Sequence, residues 1–172
     1  MKLITANLVD DLKQLTKPSE HISWITAFTM ESGVKEVLDS LKAAQANGAV
    51  IQILTGDYLY ITQPKALRLL LKDLPNAEIR LFQARGKSFH PKAYLFRHPT
   101  TQHLIVGSSN LSKSALTTGV EWSLQTVDEP IFEHAMDEFT KLFYAEQTIP
   151  LNEYTLQAYE SNYCKANEVM KL

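Results

Sequence analysis

HISWITAFTMESGVKEVLDSLKAAQANGAVIQILTG, residues 21–56, decides the fold class. Its two ends, HISWITAFT and AVIQILTG, are short apolar runs that are typical of buried strands. Between them, apolar residues recur at helical spacing, and the pair Asn47-Gly48 stands where helices commonly end. A helix that joins two neighbouring strands crosses over the sheet and makes the strands parallel, so this stretch predicts an α/β layer.

The flanking sequence extends this unit in both directions. A short amphipathic helix precedes it and ends at Pro18, and a second helix follows between Pro64 and Pro75. Four strand-like pieces come next, AEIRLFQ, FHPKAYLF, HLIVGSS and VEWSLQTV, and a helix that starts at Pro130 closes the pattern. We therefore predict an α/β fold with a mixed, mostly parallel central sheet and helices on both faces.

Length and composition indicate one domain. We predict that residues 1–150 form it and that residues 151–172 are either a C-terminal helix or a linker to a further domain. The chain has 172 residues, of which 45% are hydrophobic, enough to bury a core without disulfides. The single cysteine, Cys164, indicates a reducing compartment, and no apolar run approaches the roughly 18 residues of a membrane span. We expect a soluble cytoplasmic protein with no membrane partner.

The charges are distributed unevenly along the chain. The net charge is only −2, yet no Asp or Glu occurs between Ile79 and Val120. That segment contains six of the 17 basic residues, namely Arg80, Arg85, Lys87, Lys92, Arg97 and Lys113. Strand propensity alone explains missing acids but not gathered bases, so the segment indicates an anionic ligand.

Two pieces of this segment have the chemistry of a phosphate site. In FHPKAYLF, residues 89–96, a strand would place His90 and Lys92 on one face, and Pro91 favours the start of a strand, an edge or a bulge. In LIVGSSNLSKSALTTG, residues 104–119, an apolar strand runs into Gly-Ser-Ser-Asn, whose hydroxyl and amide groups suit phosphate oxygens. The alternative for the second piece is an ordinary strand-to-helix turn with Ser or Asn as the helix cap.

Together with Glu121 in GVEWSL, these pieces resemble the motifs of the phospholipase D superfamily. HPK, GSSN and GVE are similar to its H-x-K, G-S-x-N and downstream glutamate, and the resemblance covers about Trp24 to Phe143. It is strongest to the nuclease-like branch, which includes metal-independent restriction endonucleases and the domain that precedes bacterial DEAD/DEAH-box helicase domains. One position departs from the family pattern, because Arg97 stands where the fuller signature has an acid, and this argues against the lipase branch.

The resemblance implies a role for each motif residue. His90 would attack phosphorus and form a covalent phosphohistidine, and Glu121 would bond the other ring nitrogen. Lys92, Ser108 and Asn110 would bind the phosphate oxygens, with no metal and no cofactor. Since the chain has one copy of the motif and the family uses two histidines, a homodimer is expected. In it, two His90 side chains would face each other across the two-fold axis, one as nucleophile and one as general acid.

These observations predict a metal-independent endonuclease domain that hydrolyses DNA, within a restriction protein or with a helicase domain C-terminal to it. A DNA-binding and dimerisation module with negligible turnover is the first alternative, and a phospholipase or phosphatidyl transferase is the second. Candidate DNA contacts are Arg85, Lys87 and Lys113, with a solvated basic rim as the simpler interpretation. The sequence leaves open the roles of His103, Trp24 and Trp122, the DNA sequence or strand preference, and whether the chain is a fragment.

Overall fold

The structure, a computed structural model, describes the backbone of residues 1–171 and the side chains of residues 1–168. Eight strands form one sheet in the order β1-β7-β6-β5-β2-β3-β4-β8. The strands are β1 (Lys2–Ile4), β2 (His21–Thr26), β3 (Val50–Gly56), β4 (Glu78–Phe82), β5 (Lys92–Arg97), β6 (Gln102–Gly107), β7 (Ser123–Thr126) and β8 (Thr148–Pro150). The helices are α1 (Leu8–Thr16), α2 (Glu31–Ala46), α3 (Pro64–Asp73), α4 (Lys113–Leu116), α5 (Glu129–Phe143) and α6 (Glu153–Lys171), and Tyr58–Tyr60 form a 3-10 turn.

The α/β class and the mixed sheet are confirmed, but the prediction of a mostly parallel sheet is wrong. Only β2 with β3 and β3 with β4 are parallel, and the other five neighbouring pairs are antiparallel. The two parallel pairs are those joined by the crossover helices α2 and α3. The connection from β5 to β6 spans only residues 98–101, too short for a crossover, so these strands form an antiparallel hairpin.

Helices cover both faces of the sheet, as predicted. One face packs against α1, α2, α3 and α6, with the fully buried Trp24 at its centre, edge-on to Tyr94 at 5.1 Å between ring centroids. The other face packs against α5, through Phe139 and Phe143 beside Leu54. Trp24 is therefore a core residue rather than a surface for stacking bases. No helix in the described part of the chain is long and apolar enough to cross a membrane.

The residues after Pro150 continue the larger core. Helix α6 lies against α3, and its Leu156 and Tyr159 are buried in the same cluster as Trp24. The Tyr159 hydroxyl donates a hydrogen bond to the Thr62 carbonyl oxygen at 2.6 Å. This contact ties α6 to the connection between β3 and α3.

Strand direction brings the loops of the acid-free segment to one end of the sheet. Because β5 is antiparallel to β2 and β6 to β5, the strands β2, β3, β4 and β6 end where β5 and β7 begin. We call this the site end of the sheet. Residues 27–30, 57–63, 83–91 and 108–122, which connect the elements there, supply the candidate site.

Candidate active site

The imidazole of His90 lies in the loop before β5, in contact with two aromatic rings. Its centroid is 5.1 Å from that of Tyr58 and 5.7 Å from that of Phe28, and both rings meet it edge to face. The strand expected at FHPKAYLF begins only at Lys92, two residues after His90. Pro91 has no N–H for a ladder hydrogen bond, which explains why the strand starts after it. His90 is therefore an exposed loop residue and not a strand residue.

Lys92 opens β5 beside His90. It is paired in register with Thr26 of β2, and its Nζ donates to the His90 carbonyl oxygen at 2.9 Å. Two residues along the same face, the Tyr94 hydroxyl donates to the Ser109 carbonyl oxygen at 2.8 Å. Strand β5 thus links the HPK piece to the GSSN loop through side chains on one face.

The GSSN loop is held against the end of β2. The side-chain oxygen of Asn110 accepts a hydrogen bond from the Phe28 N–H at 3.0 Å, a bond that does not use the Asn110 amide N–H groups. Phe28 therefore contacts both predicted catalytic groups, His90 through its ring and Asn110 through its backbone. The Leu111 carbonyl oxygen also accepts from the Met30 N–H at 2.8 Å, so two bonds fix this loop to the connection between β2 and α2.

Two glycines allow this close packing. A Cβ atom on Gly33, in the first turn of α2, would lie 2.1 Å from the carbonyl carbon of Leu111. A Cβ atom on Gly107, at the end of β6, would lie 2.3 Å from the Ser123 hydroxyl oxygen. Both distances are shorter than any real contact, so any larger residue would displace the GSSN loop.

Glu121 lies at the same end of the sheet, bonded to Ser108. The Ser108 hydroxyl donates to a carboxylate oxygen of Glu121 and accepts from the Trp122 N–H at 3.1 Å. Burial, and secondly the charge of Glu121, raise the pKa of the Tyr94 phenol. Among the described residues, no hydrogen bond reaches a ring nitrogen of His90, so its bond to Glu121 stays a prediction.

The candidate DNA contacts are also at the site end. Arg85 and Lys87 lie in the loop between β4 and β5, and Lys113 opens α4 just after the GSSN loop. All three are exposed, and the Arg85 guanidinium is 3.7 Å from a carboxylate oxygen of Glu146. Their contact with DNA stays a prediction.

His103 lies far from this group. It is the second residue of β6, next to the hairpin connection at the opposite end of the sheet, where its ring centroid is 4.4 Å from that of His98. Burial, and secondly the charge of His98, lower the pKa of His103. Trp122, by contrast, is next to Glu121 at the site end and is 62% exposed.

The sequence alone did not single out Phe28, Tyr58 or Asp57, although all three follow strands that end at the site. Asp57 comes directly after β3, and its carboxylate accepts from the Ala84 N–H at 2.8 Å. Burial raises the pKa of Asp57, while this hydrogen bond partly lowers it again. The signal that could have found them is position, because residues that follow parallel strands meet at one end of a sheet.

The side chains of this region do not resemble a metal centre. Within the described residues, no three His, Cys, Asp or Glu side chains come together as metal ligands do. The predicted motif residues His90, Lys92 and Asn110 instead supply an imidazole, an ammonium and an amide. Such groups suit a tetrahedral anion, since they supply donors and positive charge.

Comparison with known families gives a match over most of the chain. Residues 12–143 match the family model described as "Cardiolipin synthase, PLD-like domain", which is well over half of the chain. None of the curated proteins matches the chain.

Several solved structures have a similar fold. NucT from Helicobacter pylori superimposes with a TM-score of 0.69 at 16% identity, over 87% of this chain and 98% of that one. Nuc from Salmonella typhimurium, a phospholipase D family member, gives 0.65 at 15% identity, over 84% and 90% of the two chains. TrmBL2, an archaeal chromatin protein with a described mode of DNA binding, gives 0.60 at 12%, over 87% and 54%. At these identities the likeness concerns the fold alone.

Proposed function

Because the chain belongs to the phospholipase D superfamily and has the fold of its nuclease-like members, we propose that it is a metal-independent DNA phosphodiesterase. The observation that carries this proposal is the double contact of Phe28, which holds the imidazole of His90 and the amide of Asn110 around one residue. The Lys92 ammonium, bonded to the His90 carbonyl oxygen, adds a cation at the same place.

In the proposed first step, a ring nitrogen of His90 attacks the phosphorus of a DNA phosphodiester. A P–N bond forms, the P–O bond to the leaving alcohol breaks, and the leaving oxygen takes a proton from a second imidazole. The Lys92 ammonium and the Asn110 amide donate to the non-bridging oxygens and stabilise the charge that grows on them. The Ser108 hydroxyl would also donate to a phosphate oxygen, once it gives up its hydrogen bond to Glu121.

In the second step, water attacks the phosphorus and the P–N bond breaks. The second imidazole, now neutral, takes the proton of the water, so each turnover restores both histidines. Glu121 would bond the distal ring nitrogen of His90 once Ser108 has turned to the phosphate. It would then fix the tautomer of the nucleophile and stabilise the imidazolium form.

The second imidazole would come from a second copy of the chain. An exposed apolar patch near the site supports such a dimer. Leu3 and Val106 are both register partners of Leu124, so the three share one sheet face, and Trp122 is two residues away. All four side chains are exposed although they are large and apolar. Helix α5, which covers the rest of this face, leaves them uncovered, and a partner copy that buries them would lie beside Ser108 and Glu121.

Plasmid cleavage in the presence of EDTA tests the activity. The wild-type protein is expected to nick plasmid DNA, and His90→Ala is expected to lose at least about a thousandfold in rate, as removal of a covalent nucleophile does. His134→Ala, which removes an exposed histidine of α5, is the matched control and should keep the wild-type rate. A wild type that is no more active than His90→Ala would reject the proposal.

One alternative is a DNA-binding module without turnover. The hydrogen bond between Ser108 and Glu121 favours it, because it occupies the carboxylate that would activate His90. The fold likeness to TrmBL2, whose description concerns DNA binding, also agrees with it. DNA binding that is unchanged in His90→Ala but weaker in Lys92→Ala and at higher salt, with no cleavage, would establish this alternative.

Phospholipase or phosphatidyl transferase activity is the other alternative, because the description of the matched family model names cardiolipin synthase. Arg97, which stands in place of the acid of the fuller motif, forms an ion pair with Glu133 at 3.0 Å. Release of a headgroup from phosphatidylglycerol vesicles without DNA cleavage would establish it. The cytoplasmic location and a helicase or restriction protein as the wider context stay predictions from the sequence, and co-purification of the native protein from cell extract tests both.

A further inference from the structure

A groove of about 860 Å³ lies beside the candidate active site. Its walls come from the 3-10 turn after β3, from the loop between β4 and β5, and from α6. Tyr58 belongs to both places, because its ring contacts the His90 ring and the residue is one of those that line the groove. We call it the Tyr58 groove, and its other lining residues that matter here are Asp57, Leu59, Tyr60 and Arg85.

Both sides of the Tyr58 groove have an unusual backbone. Leu59 and Tyr60 have φ values of 56° and 50°, and Arg85, on the facing loop, has a φ of 53°. Residues other than glycine seldom adopt this left-handed conformation, and it persists mainly where function requires it. The apolar residue Leu59 lines the groove and is 60% exposed.

The side chains of the groove match the parts of a nucleotide. Tyr58 and Leu59 offer an aromatic ring and an apolar surface to the face of a base. One oxygen of the Asp57 carboxylate is bonded to the Ala84 N–H, and its second oxygen can accept from an N–H group of a base. The Arg85 guanidinium can bind a phosphate, although the exposed Glu146 carboxylate at 3.7 Å competes for it.

We propose that the Tyr58 groove binds the nucleobase next to the scissile phosphate, in a strand whose base at that position is unstacked. This inference rests on the proposed phosphodiesterase function and narrows its substrate to nucleotide esters. The edge-to-face contact between Tyr58 and His90 gives continuity, since a phosphate at His90 and a base at Tyr58 belong to adjacent parts of one nucleotide. Duplex DNA would have to turn the base out of its stack before it could enter.

The test compares three small esters under steady-state conditions: methyl p-nitrophenyl phosphate, which has no base, and the 3′- and 5′-(p-nitrophenyl phosphate) esters of thymidine. The wild type is expected to hydrolyse one thymidine ester with a kcat/KM about tenfold or more above that of the methyl ester, the size of one base-stacking contact. The variant Leu59→Asn is expected to lose this preference and to keep the methyl ester rate, because it removes only an apolar contact to the base.

Asparagine is chosen because it tolerates the left-handed conformation of residue 59, so the variant should fold. Ile131→Asn, an exposed apolar position on α5, is the matched control and should keep the preference. Arg85→Asn alone separates the cation from the apolar contact. If the wild type prefers no thymidine ester, or Leu59→Asn keeps the preference, the inference is wrong while the phosphodiesterase function stands. If no ester is hydrolysed although plasmid DNA is nicked, the inference is wrong and the phosphodiesterase function stands, and if neither is cleaved, both are wrong.

Discussion

At the scale of single residues, Phe28 joins the two halves of the candidate site. Its N–H donates to Asn110 and its ring contacts His90, so one residue sets the distance between the imidazole and the amide. It follows the fully buried Ala27 at the end of β2, which restrains it. These contacts use the backbone N–H and the aromatic ring of Phe28. Because neither requires a polar side chain, position 28 belongs to no motif that could be recognised in the sequence.

The partly buried carboxyl of Asp57 affects the stability of the fold. Burial raises the pKa of its carboxyl above the ordinary 3.8, which means that the folded protein disfavours the charged form. The stability that depends on the protonated form is therefore present below pH 3.8 and is lost as the pH rises through the folded pKa of Asp57.

We predict that Asp57→Asn raises the free energy of unfolding at pH 7. The Asn oxygen can still accept from the Ala84 N–H, while the partly buried charge is gone. The gain should stay below about 1 kcal/mol, because the carboxyl is half exposed and solvent screens it. Urea unfolding at pH 7 and pH 4 measures it, and the difference from wild type should shrink at pH 4. A variant that is less stable than wild type at pH 7 would show that the carboxylate itself stabilises the fold.

At the scale of elements, the start of α2 sets the position of the GSSN loop. Gly33 faces the backbone of Leu111 so closely that only a hydrogen atom fits between them. A hydrogen bond reinforces this contact, because the Met30 N–H, just before α2, donates to the Leu111 carbonyl oxygen. The first turn of the helix and the GSSN loop are therefore packed against each other as one unit.

Gly33→Ala should lower both stability and activity. The new Cβ atom must displace α2 or Leu111, which is expected to cost about 1–3 kcal/mol of unfolding free energy. Because Asn110 moves with the loop, the rate of DNA cleavage per folded molecule should fall about tenfold or more. Chemical unfolding and an activity assay on the same preparation measure both quantities.

Gly48→Ala is the control for this prediction. Gly48 lies just beyond the other end of α2, has a φ of 95°, and has no atom within 4 Å of the position that a Cβ would occupy. The substitution should cost about 1 kcal/mol through backbone strain alone. It should leave the cleavage rate per folded molecule unchanged. Equal losses of activity in the two variants would mean that lowered stability, and not loop position, explains both.

Elements with strong periodicity could be predicted from the sequence, and elements defined by their partners could not. The strand-helix-strand unit of residues 21–56 has both a clear period and a stop signal at Gly48, and it forms as predicted. Strands β1 and β8 have three residues each, too few for a period to show, and they exist because β7 and β4 offer a free edge. The directions of β5 to β7 depend on the lengths of their connections rather than on strand composition. For this reason the prediction of a mostly parallel sheet was wrong.

The site follows the same division. His90, Lys92 and Asn110 stand in short motifs, and the structure brings all three to the site end of the sheet. Phe28 and Tyr58 follow strands that are distant in sequence from the motifs, and only the strand order places them beside His90. A motif reports residues that chemistry constrains, whereas these contacts depend on the assembled fold.

At the scale of the whole molecule, the proposed mechanism needs two copies of the chain. The exposed side chains of Leu3, Val106, Trp122 and Leu124 give one face of the sheet a surface that a second copy could bury. Light scattering of the purified protein should therefore give the mass of a dimer. Leu124→Lys, which places a charge in this patch, should shift the protein towards the monomer and lower its activity.

Mixing wild type with His90→Ala tests whether the two copies share one site. After subunit exchange at equal amounts, only about one quarter of the dimers carry two intact histidines. Total activity should therefore fall to about one quarter of that of an all-wild-type sample at the same protein concentration. A fall to about one half would indicate that each chain acts alone.

The most direct measurement of the central claim is capture of the covalent intermediate on His90. Wild-type protein is mixed with a DNA oligonucleotide, quenched in alkali, where a phosphohistidine survives, and digested for mass spectrometry. We predict a nucleotide or phosphate adduct on the imidazole of His90, formed at the rate of the first turnover and absent from His90→Ala. DNA cleavage at an undiminished rate in His90→Ala, with no adduct on His90 in the wild type, would contradict the account.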